Sequence, residues 1–272
     1  MLFYPNAKIN IGLNIIDKRP DGFHNLETIF YPIPFYDILE IVPDPKGGFA
    51  SCIISQSGIS FDGQSEDNIC IKAYNLLSEN FKLPAVIIHL HKQIPVGAGL
   101  GGGSADAAES LKGLNKMFQL GLSQTELESY CSSLGADCAF FIENRPKFAT
   151  GIGDEFEACD VNLTGKYLVL ACPDIHSSTA EAYGGVQPEG SKKLKEFIQF
   201  QHSQWKSNIV NDFEKSIFPL YPVVENIKIE LYSKGAMFAS MSGSGSSVFG
   251  IFEQEPNCYF ELGDTDYHIF KL

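Results

Sequence analysis

The stretch Pro95-Val-Gly-Ala-Gly-Leu-Gly-Gly-Gly-Ser104 constrains this chain more than any other part of it. Five of the seven residues from 97 to 103 are glycine, where average usage is about 7%. The β-branched run Val86 to Leu90 before it reads as a strand, and Ala105, Ala107, Ala108, Leu111, Leu114 and Phe118 after it read as a helix from Ser104, with Gly121 marking its end. Glycines let backbone N–H groups turn toward an anion with no side chain in the way, and a helix N-terminus adds partial positive charge. The segment therefore reads as a phosphate cradle. Ser104, at the expected cap position, supplies a hydroxyl for a phosphate oxygen or a magnesium ion, or simply caps the helix. Two better-known loops are excluded. Gly97-x-Gly99-x-x-Gly102 matches the dinucleotide fingerprint formally, but His91 to Val96 separate the strand from the first glycine, and the position about 20 residues on falls in a helix. A Walker loop requires a lysine that this loop lacks.

The 272 residues suffice for one large domain or two ordinary ones. A turn-rich stretch from Gly151 to Gly165 suggests a boundary near 150, giving residues 1–150 and 151–272. Ser123 and Glu126 have capping-box spacing for a helix to about Ser133. Further on, Lys166 to Ala171, Met237 to Ser240 and Val248 to Phe252 read as strands, and Asn211 to Lys234 as helix broken at Pro219 and Pro222. Strands and helices do not alternate regularly, so the fold class is α+β. A formal charge of −13, with no basic run longer than Lys192-Lys193, argues against a nucleic-acid partner. No apolar run is long enough for a membrane span. Seven cysteines without a Cys-x-x-Cys pair read as reduced thiols, and with no signal-like N-terminus the expected location is cytoplasmic.

Three further segments carry chemistry. In Asn6-Ala-Lys-Ile-Asn-Ile-Gly-Leu-Asn14, strand alternation puts Ala7, Ile9, Ile11 and Leu13 on one face and Lys8, Asn10, Gly12 and Asn14 on the other. That face is either solvated surface or a cationic wall. Asp137 lies among small and apolar residues, unusual for a carboxylate unless it is paired or functional. An ionised carboxylate beside an ammonium can accept a substrate proton, so Lys8 with Asp137 forms a sensible catalytic pair, a buried salt bridge being the alternative. Met241-Ser-Gly-Ser-Gly-Ser-Ser247 is a second glycine turn, a phosphate lid or a plain hairpin. His89 and His91 share a strand face without a third ligand nearby, and read as surface.

Together these segments resemble the galactokinase, homoserine, mevalonate and phosphomevalonate (GHMP) kinase superfamily, in the same order along the chain. Ala7 to Asn10, Arg19 to His24 with Leu26 to Thr28, Gly97 to Ser104, Gly135 to Asp137, Asn211-Asp212 and Ser242 to Ser247 are most similar to the kinases of 4-diphosphocytidyl-2-C-methyl-D-erythritol. The resemblance implies a two-domain fold with the active site in the cleft between domains, residues 1–150 forming an ATP-binding domain and 151–272 the C-terminal GHMP-kinase domain. It implies ATP-dependent phosphorylation of the substrate's 2-hydroxyl in the non-mevalonate isoprenoid pathway, with ATP and Mg2+ as cofactors. Asp137 is then the base and Lys8 its cationic partner. Pro95, Val96, Gly97, Ala98, Gly99, Leu100, Gly101, Gly102, Gly103 and Ser104 bind ATP. Asn10 and Asp137 hold the acceptor, Phe23 and Tyr183 stack on cytosine, and His24 reads its edge. The partner is a small molecule, not nucleic acid or membrane, and the chain a monomer or weak homodimer. Phe23 stands where tyrosine is common, Ala105 where a second serine is usual, and Cys138-Ala139 where Val-Pro is familiar. A GHMP kinase for another alcohol, such as homoserine or mevalonate, and a catalytically silent nucleotide-binding relative stay open.

Overall fold

The computed structural model describes residues 1–49, 51–60, 65–190 and 193–272; the expectation touching Lys192 lies outside them. In chain order the elements are β1 (Leu2–Phe3), β2 (Asn6–Lys18), β3 (His24–Tyr36), β4 (Ile38–Pro43), β5 (Cys52–Gly58), α1 (Ile69–Ser78), β6 (Val86–Lys92), α2 (Gly102–Phe118), α3 (Gln124–Ser132) and α4 (Phe140–Glu143). Then follow β7 (Lys147–Thr150), β8 (Glu155–Ala158), β9 (Tyr167–Cys172), α5 (Thr179–Gly184), α6 (Leu194–Phe197), α7 (His202–Asn208), α8 (Glu214–Leu220), α9 (Pro222–Ser233), β10 (Phe238–Met241), β11 (Val248–Phe252) and β12 (Asp266–Lys271). The mixed α+β content agrees with the sequence reading. No helix among the described residues is long and apolar enough to cross a membrane.

The chain forms two compact units. The first comprises residues 1–7, 35–96 and 101–145; the second comprises 8–34, 97–100 and 146–272. One crossing falls at 145/146, beside the boundary expected near 150, but a single cut does not describe the division. Most of β2 and β3 belongs to the second unit, because these long strands continue one sheet with β7 and β8 in the order β2-β3-β7-β8.

The first unit carries the sheet β1-β4-β6-β5, in which β6 pairs antiparallel with β4 and parallel with β5. In β6, Val86, Ile88, Leu90 and Lys92 point into the core while His89 and His91 face out, the period-2 pattern of a half-buried strand. Helix α2 packs close because of Gly113, where a Cβ would lie 2.8 Å from Phe3 and 2.9 Å from Ile41. Its C-cap is Gln119 in the left-handed region, two residues before the glycine expected to end it. Ser123 caps α3 through a complete capping box with Glu126, as its spacing predicts.

The second unit adds the antiparallel sheet β10-β11-β9-β12. Its core includes Leu13, Ile15, Val169, Phe213, Ile217, Leu231, Met241 and Phe252. Here α8 contains Pro219 without ending at it, and Pro222 opens α9 at a position where its missing N–H costs nothing, so the helical region breaks only at Tyr221. The second glycine turn joins β10 to β11.

Candidate active site

In the second unit the polar face of β2 is buried rather than solvated: Lys8 is 3% exposed, and Asn10 and Asn14 2% each. The Lys8 ammonium donates to Asn10 Oδ1 at 2.6 Å and to the Gly99 carbonyl at 3.3 Å, and lies 4.6 Å from the centre of the Phe30 ring. Asn10 is fixed in turn, its amide donating to Thr28 Oγ1 at 2.9 Å while Thr28 donates to the Gly12 carbonyl at 2.6 Å. The amide orientation is thereby set, and with it the oxygen that meets Lys8.

The segment 97–100 is gripped from two sides within this unit. The Lys8 N–H donates to the Leu100 carbonyl at 2.9 Å, and the Ser247 N–H to the Ala98 carbonyl at 3.2 Å. Ser242 Oγ donates to the Gly99 carbonyl at 2.8 Å and accepts from the Asn10 N–H at 3.2 Å, so one hydroxyl joins β2, the glycine segment and the β10–β11 turn. Gly99 has φ +77°, and a Cβ there would sit 1.9 Å from the Ser242 carbonyl oxygen, so only glycine fits. The expected phosphate lid, Ser242 to Ser247, thus packs directly on the first glycine turn. Behind it, the Asn211 amide donates to the carbonyls of Met241 at 2.9 Å and Gly243 at 2.8 Å, and Asp212 Oδ2 accepts the Ile15 N–H at 2.9 Å. Asn211 and Asp212 therefore act as scaffold for the turn and for β2.

Sequence reasoning missed His176. Ser246 Oγ donates to the Ile175 carbonyl at 2.6 Å and Ser177 Oγ to that of Ser244 at 3.0 Å, which brings the exposed His176 ring against Gly97. A Cβ on Gly97 would lie 2.8 Å from the ring's Cε1. Only the chain's return to the second glycine turn creates this contact.

Among the aromatic candidates, the ring that stacks on Tyr183 is His24, with centroids 4.7 Å apart and planes at 23°. Tyr183 is backed edge-on by Phe213 at 4.7 Å, anchoring it to the core. The Phe23 ring is 59% exposed, on a turn where Asp21 accepts the Phe23 N–H and pairs with Arg19. The Arg19 bond holds the Asp21 carboxyl below its usual range.

In the first unit α2 begins two residues earlier than expected. Its N-cap is Gly101, at φ +70° with no side-chain cap, so Ser104 is the third residue of the first turn and does not cap it. The first bond of the helix runs from the Ala105 N–H to the Gly101 carbonyl at 3.0 Å, which leaves the N–H groups of Gly102, Gly103 and Ser104 ahead of the ladder. Pro95 and Val96 form the approach, Val96 being exposed. Asp137 is half-buried in the turn between α3 and α4, where the Cys138 N–H closes on the Gly135 carbonyl at 3.1 Å. The Cys138 thiol, pushed up to about 11 by burial, shares a side-chain hydrogen bond with Ser104, so this unit brings the Asp137 turn beside the start of α2. His89 and His91 are exposed and meet Ser55 and Ser57. No cluster of three metal-binding side chains occurs among the described residues.

Comparison with known proteins supplies the lineage. Residues 68–145 match the GHMP kinases N terminal domain and residues 190–258 the GHMP kinases C terminal domain. The chain is 57% identical over 258 residues to the 4-diphosphocytidyl-2-C-methyl-D-erythritol kinase of Bacteroides fragilis (strain YCH46), covering 94% of this chain and 93% of that one. It is 53% identical over 255 residues to the protein of the same name from Parabacteroides distasonis, covering 93% and 92%. Among solved structures, a 4-(cytidine 5'-diphospho)-2C-methyl-D-erythritol kinase superposes with a TM-score of 0.79 at 29% identity, covering 93% of this chain and 91% of that one. A homoserine kinase from Cytophaga hutchinsonii shares the fold at 14% identity, with a TM-score of 0.69 and coverage of 97% and 93%. The chain belongs to the 4-diphosphocytidyl-2-C-methyl-D-erythritol kinase family of the GHMP kinases.

Proposed function

We propose that this chain is a small-molecule kinase that transfers the γ-phosphoryl group of ATP to the 2-hydroxyl of 4-diphosphocytidyl-2-C-methyl-D-erythritol, giving the 2-phosphate and ADP in the non-mevalonate isoprenoid route. One structural observation supports it most: Lys8, Asn10, the glycine segment and the Ser242 turn form a single buried hydrogen-bonded group. Phosphoryl transfer requires little covalent chemistry from a protein and much positioning of charge. The backbone N–H groups at the start of α2 and along residues 97–101 receive phosphate oxygens, with the helix N-terminus adding partial positive charge. Lys8 supplies fixed positive charge where phosphoryl charge shifts. Asn10 orients the acceptor hydroxyl, and Asp137 takes its proton as general base.

For the base end of the substrate, Tyr183 offers a ring held in place by Phe213, and the exposed Phe23 offers a second flat face. His24, whose ring lies against Tyr183, reads the cytosine edge in this proposal. Magnesium, when bound, neutralises charge between the β and γ phosphates. The donors present suit an ion carried by the nucleotide rather than a protein cage: among the described residues no three carboxylates, histidines or thiols converge, and Ser104 offers one hydroxyl on the first turn of α2. A cytoplasmic, monomeric or weakly dimeric enzyme without a nucleic-acid partner completes the reading.

The deciding experiment is ATP consumption by purified protein with magnesium, in the presence of 4-diphosphocytidyl-2-C-methyl-D-erythritol, homoserine or mevalonate. Turnover with the cytidine compound alone is the expected result. Turnover with another alcohol instead would return Phe23, His24 and Tyr183 to structural roles.

A further inference from the structure

The first unit contains a buried charge cluster that the proposed chemistry does not use. Asp37 is 0% exposed, Lys92 4% and Asp106 2%. The Lys92 ammonium bonds Asp37 Oδ2 at 2.5 Å and Asp106 Oδ2 at 2.8 Å. Two carboxylates thus share one ammonium away from water, an arrangement that costs stability unless something else requires it. Asp37 Oδ1 accepts the N–H of Gln93 at 2.6 Å and of Ile94 at 3.0 Å, the residues that carry the chain from β6 toward the glycine loop. Asp106 lies just past the first turn of α2, on the other side of that loop. Gly102 completes the closure, since a Cβ there would lie 2.8 Å from Ile94 and 3.2 Å from the Lys92 nitrogen. One ammonium therefore ties together residues 92–94 and 102–106, the two ends of the phosphate-binding segment.

We infer that Asp37, Lys92 and Asp106 are positioning residues that set the spacing of the phosphate-loop ends and so tune ATP affinity. This rests on the kinase reading given above. Asp106 Oδ1 has no hydrogen-bond partner among the described residues, so its negative charge is poorly supported. Burial, reinforced by the Asp37 carboxylate, pushes the Asp106 carboxyl up to about 7 against the pull of Lys92. The groups facing Asp106 are Lys92 from β6, Asp37 from the β3–β4 turn and the Cys70 thiol from α1, itself pushed up by burial; on its own helix Ser110 bonds the Asp106 carbonyl. The joint therefore acts through spacing: loosening it leaves residues 92–94 and 102–106 free to part, and the N–H groups at the start of α2 lose their register for phosphate oxygens.

The test is steady-state kinetics of wild type, Asp106→Asn and Asp37→Asn with ATP, magnesium and the cytidine substrate, together with calorimetric titration of ATP and thermal melts of each. Each asparagine keeps the shape of the side chain and removes one of the two carboxylates that hold Lys92. The expected result is a KM and a Kd for ATP raised about five-fold, with kcat and the KM for the cytidine substrate near wild type. Folded variants with unchanged ATP affinity overturn the inference, as does an effect on kcat alone or an equal rise in KM for both ligands. Should Asp37→Asn fail to fold, Asp106→Asn decides by the same readouts. Absence of turnover with the cytidine substrate would remove the acceptor reading while leaving the affinity comparison intact.

Discussion

Lys8 and Lys92 are the buried lysines among the described residues, and they are held differently. Lys92 meets two carboxylates within 2.8 Å, and although burial alone would lower its ammonium, Asp106 and Asp37 raise it above the usual lysine value. The contacts of Lys8 include an amide oxygen, a backbone carbonyl and the face of Phe30, which fix where its ammonium points. Desolvating a cation is costly in either place. The first environment ties one ammonium to two carboxylates and yields a fixed joint; the second sets its ammonium against the glycine segment, where the proposed reaction takes place. The chemistry should therefore fail when the second unit's lysine or the proposed base is altered, and the architecture should fail when the first unit's lysine is altered.

The largest effect should come from Asp137→Asn, which keeps size and removes the base. Turnover should drop by roughly 10²–10⁴, with ATP affinity and melting temperature near wild type. Near-normal turnover would exclude Asp137 as the base. Lys8→Met and Lys92→Met form the direct contrast. Leaving two buried carboxylates without their cation should cost Lys92→Met about 3–5 kcal/mol in urea denaturation. Lys8→Met should lose roughly 10²-fold or more in turnover with a smaller loss of stability than Lys92→Met. Equal destabilisation by the two variants would break the comparison.

The sequence made the proposed chemical side legible and left the joint unread, for physical reasons. Glycine density at 97–103 announced a close backbone approach, and the structure adds what is approached: the Ser242 carbonyl, 143 residues away in sequence. The polar face of β2 was visible in its alternation, yet alternation cannot tell a solvated face from one covered by a returning turn; Ser242 reaches it from 232 residues away, on a turn that Asn211 holds through a contact 30 residues apart. Ser104 was misplaced as a cap because Gly101, lacking a side chain to signal itself, takes that position in the left-handed region. Lys92 was the avoidable omission. It keeps the inward phase of Val86, Ile88 and Leu90, and a lysine in that phase must find buried carboxylates. The stacking of His24 on Tyr183 was not legible, since it depends on how the β2–β3 turn meets α5.

A smaller effect separates the two ligands. Phe23→Ala removes an exposed ring, so its stability should hardly change. If that ring stacks on cytosine, the KM for the cytidine substrate should rise by the equivalent of about 1–3 kcal/mol, with the KM for ATP unchanged. A parallel loss for both ligands would mean that the turn supports the glycine segment, and the proposed division of labour would need redrawing.

The last contrast is the pH dependence of stability carried by the joint itself. In the unfolded chain Asp106 titrates near its ordinary value of 3.8, and in the fold near about 7. Between these values the folded state holds the proton more tightly, so it binds more protons than the unfolded state and loses stability as pH rises. The contribution is whole below about pH 4 and gone above about pH 7, opposite in sign to that of an ordinary salt-bridged aspartate. Asp106→Asn should flatten this part of the profile in urea titrations between pH 5 and 8 and lie closest to wild type at the acid end. Asp37→Asn should not reproduce that behaviour, because it also weakens the acceptor of the Gln93 and Ile94 N–H groups and so lowers stability across the range. If the two asparagine variants gave the same profile, Lys92 would be answering to total charge alone, and the distinct duties assigned to its two partners would fall.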